Sequence, residues 1–131
     1  MDPVDTAVLV AGQGLQGNAN RGGRRQVTLI SSERWTEVSA RLKADIPPST
    51  RRANLMVTGL DLENTRGRIL RVGPARLQIN GETRPCEQME EAYPGLQAAM
   101  RERWGGGAFA EVLDGGSIAV GDAAEWEPML F

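Results

Sequence analysis

The chain has 131 residues, 40% of them hydrophobic and 24% charged, with a formal net charge of −2 at neutral pH. That length holds one domain, residues 1–131, around one hydrophobic core. The acidic balance (pI about 5.2) disfavours a nucleic-acid partner, which leaves a basic footprint, and no apolar run approaches the ~20 residues a membrane span needs.

The chain opens Met1-Asp2-Pro3-Val4-Asp5, acidic where a secretory leader is basic. Together with a single cysteine, which cannot close an internal disulfide, this predicts a cytoplasmic protein. Residues 4–11 read as a strand, and a glycine-rich loop follows over 12–23. Its backbone amides suit an anion, yet it lacks the Lys-Ser/Thr ending of a nucleotide P-loop and reads first as a corner turn. Residues 25–30, Arg-Gln-Val-Thr-Leu-Ile, are β-branched and form a second strand. Ser31 or Ser32 caps a helix to about Lys43, with Trp35, Val38 and Leu42 on one face, and Pro47-Pro48 ends that segment.

Beyond the prolines, Arg51-Arg52-Ala53-Asn54 leads into a strand over 55–58. On an extended segment two adjacent arginines point to opposite faces, so at most one enters a shared pocket. Residues 69–72 and 76–79 form a hairpin-like pair around Gly73-Pro74-Ala75, and Asn80-Gly81 reads as a tight turn. Pro85-Cys86 opens a helix, and a second runs over 94–104 with Leu96 and Met100 inward, ended by three glycines. The last strands are 108–113 and 123–127. Many short strands with two or three short helices predict a mostly β chain folded as a closed or nearly closed barrel, with Trp35, Trp104 and Trp126 in its core.

Absences narrow the chemistry. The sequence has no histidine, so Ser-His-Asp and Cys-His catalysis and His-ligated metals are excluded. Lys43, the one lysine, sits on a solvated helix face, so no pyridoxal-phosphate Schiff base is expected. Cys86 is the candidate reactive group: a helix start and neighbouring Arg84 favour its thiolate, while Glu87 opposes it. Read from the residues alone, a lone cysteine also serves as a small buried hydrophobe, Arg51 and Arg52 as rim charge, and Glu87, Glu90 and Glu91 as a solvated helix face.

The order of landmarks is more specific than any one of them. Gly14-x-x-Gly17 precedes Arg25-Gln26-Val27-Thr28-Leu29-Ile30; Arg52-Ala53-Asn54-Leu55 and Gly59-Leu60-Asp61-Leu62 follow. Then come Gly67-x-x-Leu70-x-Val72-Gly73, Pro85-Cys86, and Gly115-Gly116-x-Ile118-x-x-Gly121-Asp122. Over about residues 4–127 this resembles the MOSC domain, named for the C-terminal domain of molybdenum cofactor sulfurases. The resemblance implies a β barrel that carries sulfur as a persulfide on its cysteine or binds the molybdenum cofactor (molybdopterin) with that cysteine on the metal. By that resemblance Cys86 is the catalytic or metal-ligating residue, and Arg52, Asn54 and, by a weaker match, Arg25 bind the cofactor. A cysteine desulfurase, or a molybdoenzyme or reductase, is the implied partner. Two further readings are a molybdenum-dependent oxidoreductase component reducing N-hydroxylated compounds, and a non-catalytic barrel binding an anion or a partner. The chain departs from the family pattern at Gly17-Asn18, where Gly-Asp is common, and an additional N-terminal strand is expected in the family.

Overall fold

The computed structural model describes residues 6–16, 23, 25–51, 53–85 and 87–128. Among the described residues nine strands form two sheets. A six-stranded sheet has the order β4-β3-β7-β6-β5-β9 and curls into a nearly closed barrel, and a three-stranded sheet, β2-β1-β8, covers it. The strands are β1 Thr6–Val10, β2 Gly14–Leu15, β3 Val27–Ser31, β4 Leu55–Val57, β5 Ile69–Val72, β6 Ala75–Glu82, β7 Ala108–Asp114, β8 Gly116–Ala119 and β9 Ala124–Trp126. Three helices, α1 Ser32–Arg41, α2 Glu87–Ala92 and α3 Leu96–Met100, cluster outside the sheets. Among the described residues no helix is long and apolar enough to cross a membrane.

Alternation builds the barrel. Along β6 the side chains of Ala75, Leu77 and Ile79 are fully enclosed, while Arg76 and Gln78 between them face outward. They meet Leu70, Val112, Ala110, Val27 and Leu29 in one apolar cluster. A second, smaller core lies under the helices, where Trp35, Val38 and Ile46 pack on Met89, Leu96, Ala99 and Met100. Ser31 caps α1, its hydroxyl accepting from the Arg34 amide at 3.2 Å, and the Trp35 indole N–H donates to the Ile46 carbonyl at 2.8 Å.

Four expectations change. Asn80-Gly81 is no turn: β6 runs straight through it, and a register shift against β7 between Ile79 and Gly81 marks a bulge. The Phe109 ring lies 3.0 Å from where a Gly81 side chain would begin, so glycine serves a close approach. The helix expected over 94–104 stops at Met100, and a 3-10 turn, Glu102–Trp104, follows with Arg103 and Trp104 at φ 51° and 58°. The segment at Arg51 is not extended either; Pro48–Arg51 forms a 3-10 turn. Finally, residues 116–119, which lie in the connection between the strands expected at 108–113 and 123–127, form β8 and pair with β1. Trp35 is buried as expected, whereas Trp104 and Trp126 are half-buried against the barrel core.

One ion-pair cluster ties the barrel's end to β9. The Arg76 guanidinium bonds the Glu127 carboxylate, with Nη2 to Oε2 at 3.1 Å, and also reaches Asp114 at 2.8 Å. Arg71 joins Glu127 from β5 at 3.1 Å. The hydrogen bonds from Arg76, and then Arg71, hold the Glu127 carboxyl down at about 2 against an ordinary 4.5. A carboxylate held below its unfolded value stabilises the fold above that value, and the contribution fades as pH falls from 4.5 towards 2. Glu127→Gln should therefore flatten the acid limb of a denaturation curve across that window; an unchanged limb would contradict the assignment.

Candidate functional site

A small cleft opens where β3, the Pro48–Arg51 turn and the exit of β6 converge. It measures about 30 Å³ and is lined by Arg25, Thr28, Arg51, Ala53, Thr83 and Gly106. Local structure explains the convergence. The α1 helix stops at Arg41, and beyond it Pro48 opens the 3-10 turn that carries Arg51 back against the barrel. There the buried Arg51 donates through Nε to the Gly106 carbonyl at 2.9 Å and through Nη2, at a long 3.5 Å, to that of Thr83. One guanidinium thus clamps the two chain segments that frame the cleft. Arg25, on the approach to β3, is exposed at the rim.

Asn54 acts one step behind the cleft. Its Oδ1 accepts from the Thr28 amide at 2.9 Å and from the Thr28 hydroxyl at 3.2 Å, and its own amide donates to the Thr28 hydroxyl at 3.1 Å. This reciprocal pairing fixes Thr28, a lining residue, and locks the parallel β3–β4 register. Of the four residues picked from sequence, Arg25 lines the cleft and Asn54 backs it. Arg52 and Cys86 lie outside the described residues; in the chain they follow Arg51 directly and Thr83 by three positions.

Two lining residues went unselected in the sequence. Arg51 was weighed only against Arg52 as a neighbour on an extended segment. Thr83 is only 2% exposed, yet its hydroxyl has no hydrogen-bond partner among the described residues. An unpaired buried hydroxyl costs about 1–3 kcal/mol, a cost that a ligand acceptor at this position would offset. Two guanidiniums and two threonine residues around a small cavity suit an oxyanion. At about 30 Å³ the cavity is far below the ~300–1,000 Å³ of pockets that enclose a drug-sized molecule. The residues present fit an oxyanion such as the phosphate of a larger cofactor.

A sequence profile of the MOSC domain matches residues 16–125. The chain belongs to the MOSC family. No curated protein sequence matches it. Among solved structures it is similar to the YuaD protein from Bacillus subtilis, at 24% identity and a TM-score of 0.77, over 94% of this chain and 85% of that one. It is also similar to YiiM from Escherichia coli, at 20% identity and a TM-score of 0.76, over 97% of this chain and 65% of that one. For YiiM from Geobacillus stearothermophilus the identity is 21% and the TM-score 0.71, over 82% of this chain and 56% of that one. The MOSC chain therefore spans less than two thirds of either YiiM protein. At these identities the likeness establishes a shared barrel, while the family's association with the molybdenum cofactor rests on the profile match.

Glu82, at the end of β6, and Arg84 line a second, more open groove with Asn64, Arg66 and Trp104. Three non-glycine residues in left-handed conformation, Asn64, Arg103 and Trp104, border it. Each such residue costs on the order of 1–3 kcal/mol. Arg103 is anchored by Glu63 at 3.5 Å, with Asp61 and Glu37 at 4.0 Å. Among the described residues no group of three or more histidine, cysteine, aspartate or glutamate side chains is placed to hold a metal.

Proposed function

We propose that this MOSC domain holds the molybdenum-pterin cofactor, with the cofactor's phosphate in the arginine-threonine cleft and the Cys86 thiolate on the metal. The observation that carries the reading is the cleft itself. An unpaired, buried Thr83 hydroxyl beside Arg25 and Arg51 calls for an oxyanion, and Cys86 follows Thr83 by three residues. A protein that only relays sulfur needs the thiol and has no use for this cleft. Bound there, the cofactor would supply a molybdenum centre for redox or sulfur chemistry. The chain's own residues bind and orient: Arg51 shapes the cleft, Arg25 and Arg52 neutralise the phosphate, and Asn54 holds Thr28 in place. Cys86 contributes a soft thiolate, the ligand type molybdenum-like soft sites accept. The reduction of N-hydroxylated compounds, or delivery of sulfur with a desulfurase partner, would be built on this binding.

Two measurements test the assignment. Arg52→Ala should weaken binding of phosphate or a phosphorylated analogue by about 1.5–3 kcal/mol, the worth of a charged hydrogen bond, and leave thermal unfolding unchanged. Wild-type affinity in that variant would remove Arg52 from the site. Alkylation of Cys86 followed against pH should show a midpoint below ~8.5, because Arg84, two residues before it in the sequence, favours the anion. A midpoint at or above that value would contradict a poised thiolate.

A further inference from the structure

We infer that Arg51 is a positioning residue for Cys86: its turn holds the segments on both sides of the cysteine against a platform built by the glycine triplet Gly105-Gly106-Gly107. The inference rests on the Cys86 reading above and names the residue that sets where that thiol stands. Cys86 falls between the buried Pro85 and Glu87, the first residue of α2. Before it, the Thr83 amide donates to the Gly107 carbonyl at 2.9 Å, and the Thr83 carbonyl accepts from Arg51 Nη2 at 3.5 Å. After it, α2 packs on the Pro48–Arg51 turn and buries Met89 in the smaller core. One short turn therefore reaches the chain on both sides of Cys86.

The platform depends on bare backbone. A Cβ built on Gly106 would lie 2.4 Å from the Thr83 carbonyl oxygen and 3.4 Å from the Pro85 ring, so only glycine lets the two segments meet. The triplet is itself fixed: the amides of Gly105, Gly106 and Gly107 donate to the carbonyls of Glu102, Met100 and Trp104 at 2.9, 3.0 and 2.9 Å. Arg51 Nε closes the junction on the Gly106 carbonyl at 2.9 Å. Its partners here are main-chain carbonyls on two segments far apart in sequence, and a planar guanidinium with donors at fixed angles bridges them. Lysine carries the same charge as a single point and does not reproduce that fork. What Arg51 supplies to Cys86 is position, not charge.

The test compares Arg51→Lys, Arg51→Met and Gly106→Ala with the wild-type chain, by amide NMR and by the rate of Cys86 alkylation with iodoacetamide at neutral pH. Arg51→Lys should displace the Thr83 and Cys86 amide signals as Arg51→Met does, while those of Leu77 and Ile79 in the barrel stay in place and unfolding stays cooperative. Both variants should slow alkylation about threefold or more, because the thiol leaves the surroundings that favour its anion. Gly106→Ala keeps the guanidinium and should have the same effect; where that chain does not fold, the lysine variant decides alone. A Cys86 signal and rate unchanged in Arg51→Lys, or changed only in Arg51→Met as a charge effect would be, would overturn the proposal. A wild-type thiol no faster than a free model thiol would count against the poised Cys86 instead, and the displaced Cys86 signal in Arg51→Lys would still carry the positioning role.

Discussion

Replacing Cys86 with serine should abolish molybdenum retention while leaving the binding of inorganic phosphate in the cleft unchanged. Sulfur and oxygen are close in size, so the change removes a soft, ionisable ligand with little disturbance of packing. The cleft is lined by Arg25, Arg51 and Thr83 among others, none of which the substitution alters. Metal analysis of wild type and variant, beside a phosphate titration of each, separates the two halves of the site. Loss of both activities would mean that Cys86 supports the fold. Retention of both would leave the family assignment as a statement about architecture alone.

Gly107→Ala should be the most damaging small substitution in the chain, costing more than about 4 kcal/mol and leaving little folded protein. Gly107 has φ 92°, in the left-handed region, and a Cβ built there would lie 1.9 Å from the Leu29 carbonyl oxygen. That contact is backbone on backbone, so no side-chain rotation relieves it. The alternatives are to part β3 from β7, which pair through Leu29 and Ala108, or to shift the Thr83 amide that donates to the Gly107 carbonyl at 2.9 Å. Either would open the phosphate cleft, since Thr28, Thr83 and Gly106 all line it. Far-UV circular dichroism and urea denaturation read the effect directly. A variant within about 1 kcal/mol of wild type would contradict the tight β3–β7 junction.

Much of the barrel is legible in the sequence because its elements carry strong local signals. The α1 helix announces itself through Ser31 and the Trp35–Val38 spacing, and Leu96 and Met100 are both fully enclosed as their spacing predicts. The misreadings occur where tertiary pairing overrides local preference. Asn80-Gly81 is a strong turn dipeptide in isolation, but β7 pairs along the whole of β6 and the turn signal becomes a bulge. The glycines after Trp104 correctly mark a stop, while the demand that Gly107 makes on Leu29 is non-local and leaves no trace in the chain.

The candidate site divides in the same way. Cys86, Arg52 and Asn54 stand out through the order of family landmarks, and Arg25, the weaker match, lines the cleft. Arg51 was masked by the extended conformation assumed for its segment; once Pro48–Arg51 turns, the first arginine is the one drawn inside. Thr83 carries one usable signal, its place between the outward-facing Glu82 and Arg84 and three positions before Cys86. Its missing hydrogen-bond partner becomes visible only in three dimensions. Trp104, expected in the core, is only half there, because its left-handed backbone leaves part of the side chain at the outer groove.

The most direct test of the cofactor assignment is the molybdenum and pterin content of the wild-type chain purified from a host that makes the cofactor. The assignment predicts that metal and pterin co-purify with the protein in matching amounts, and that both decline in Arg52→Ala. Protein that emerges with a persulfide on Cys86 and neither molybdenum nor pterin would contradict it, and would make the chain a sulfur carrier.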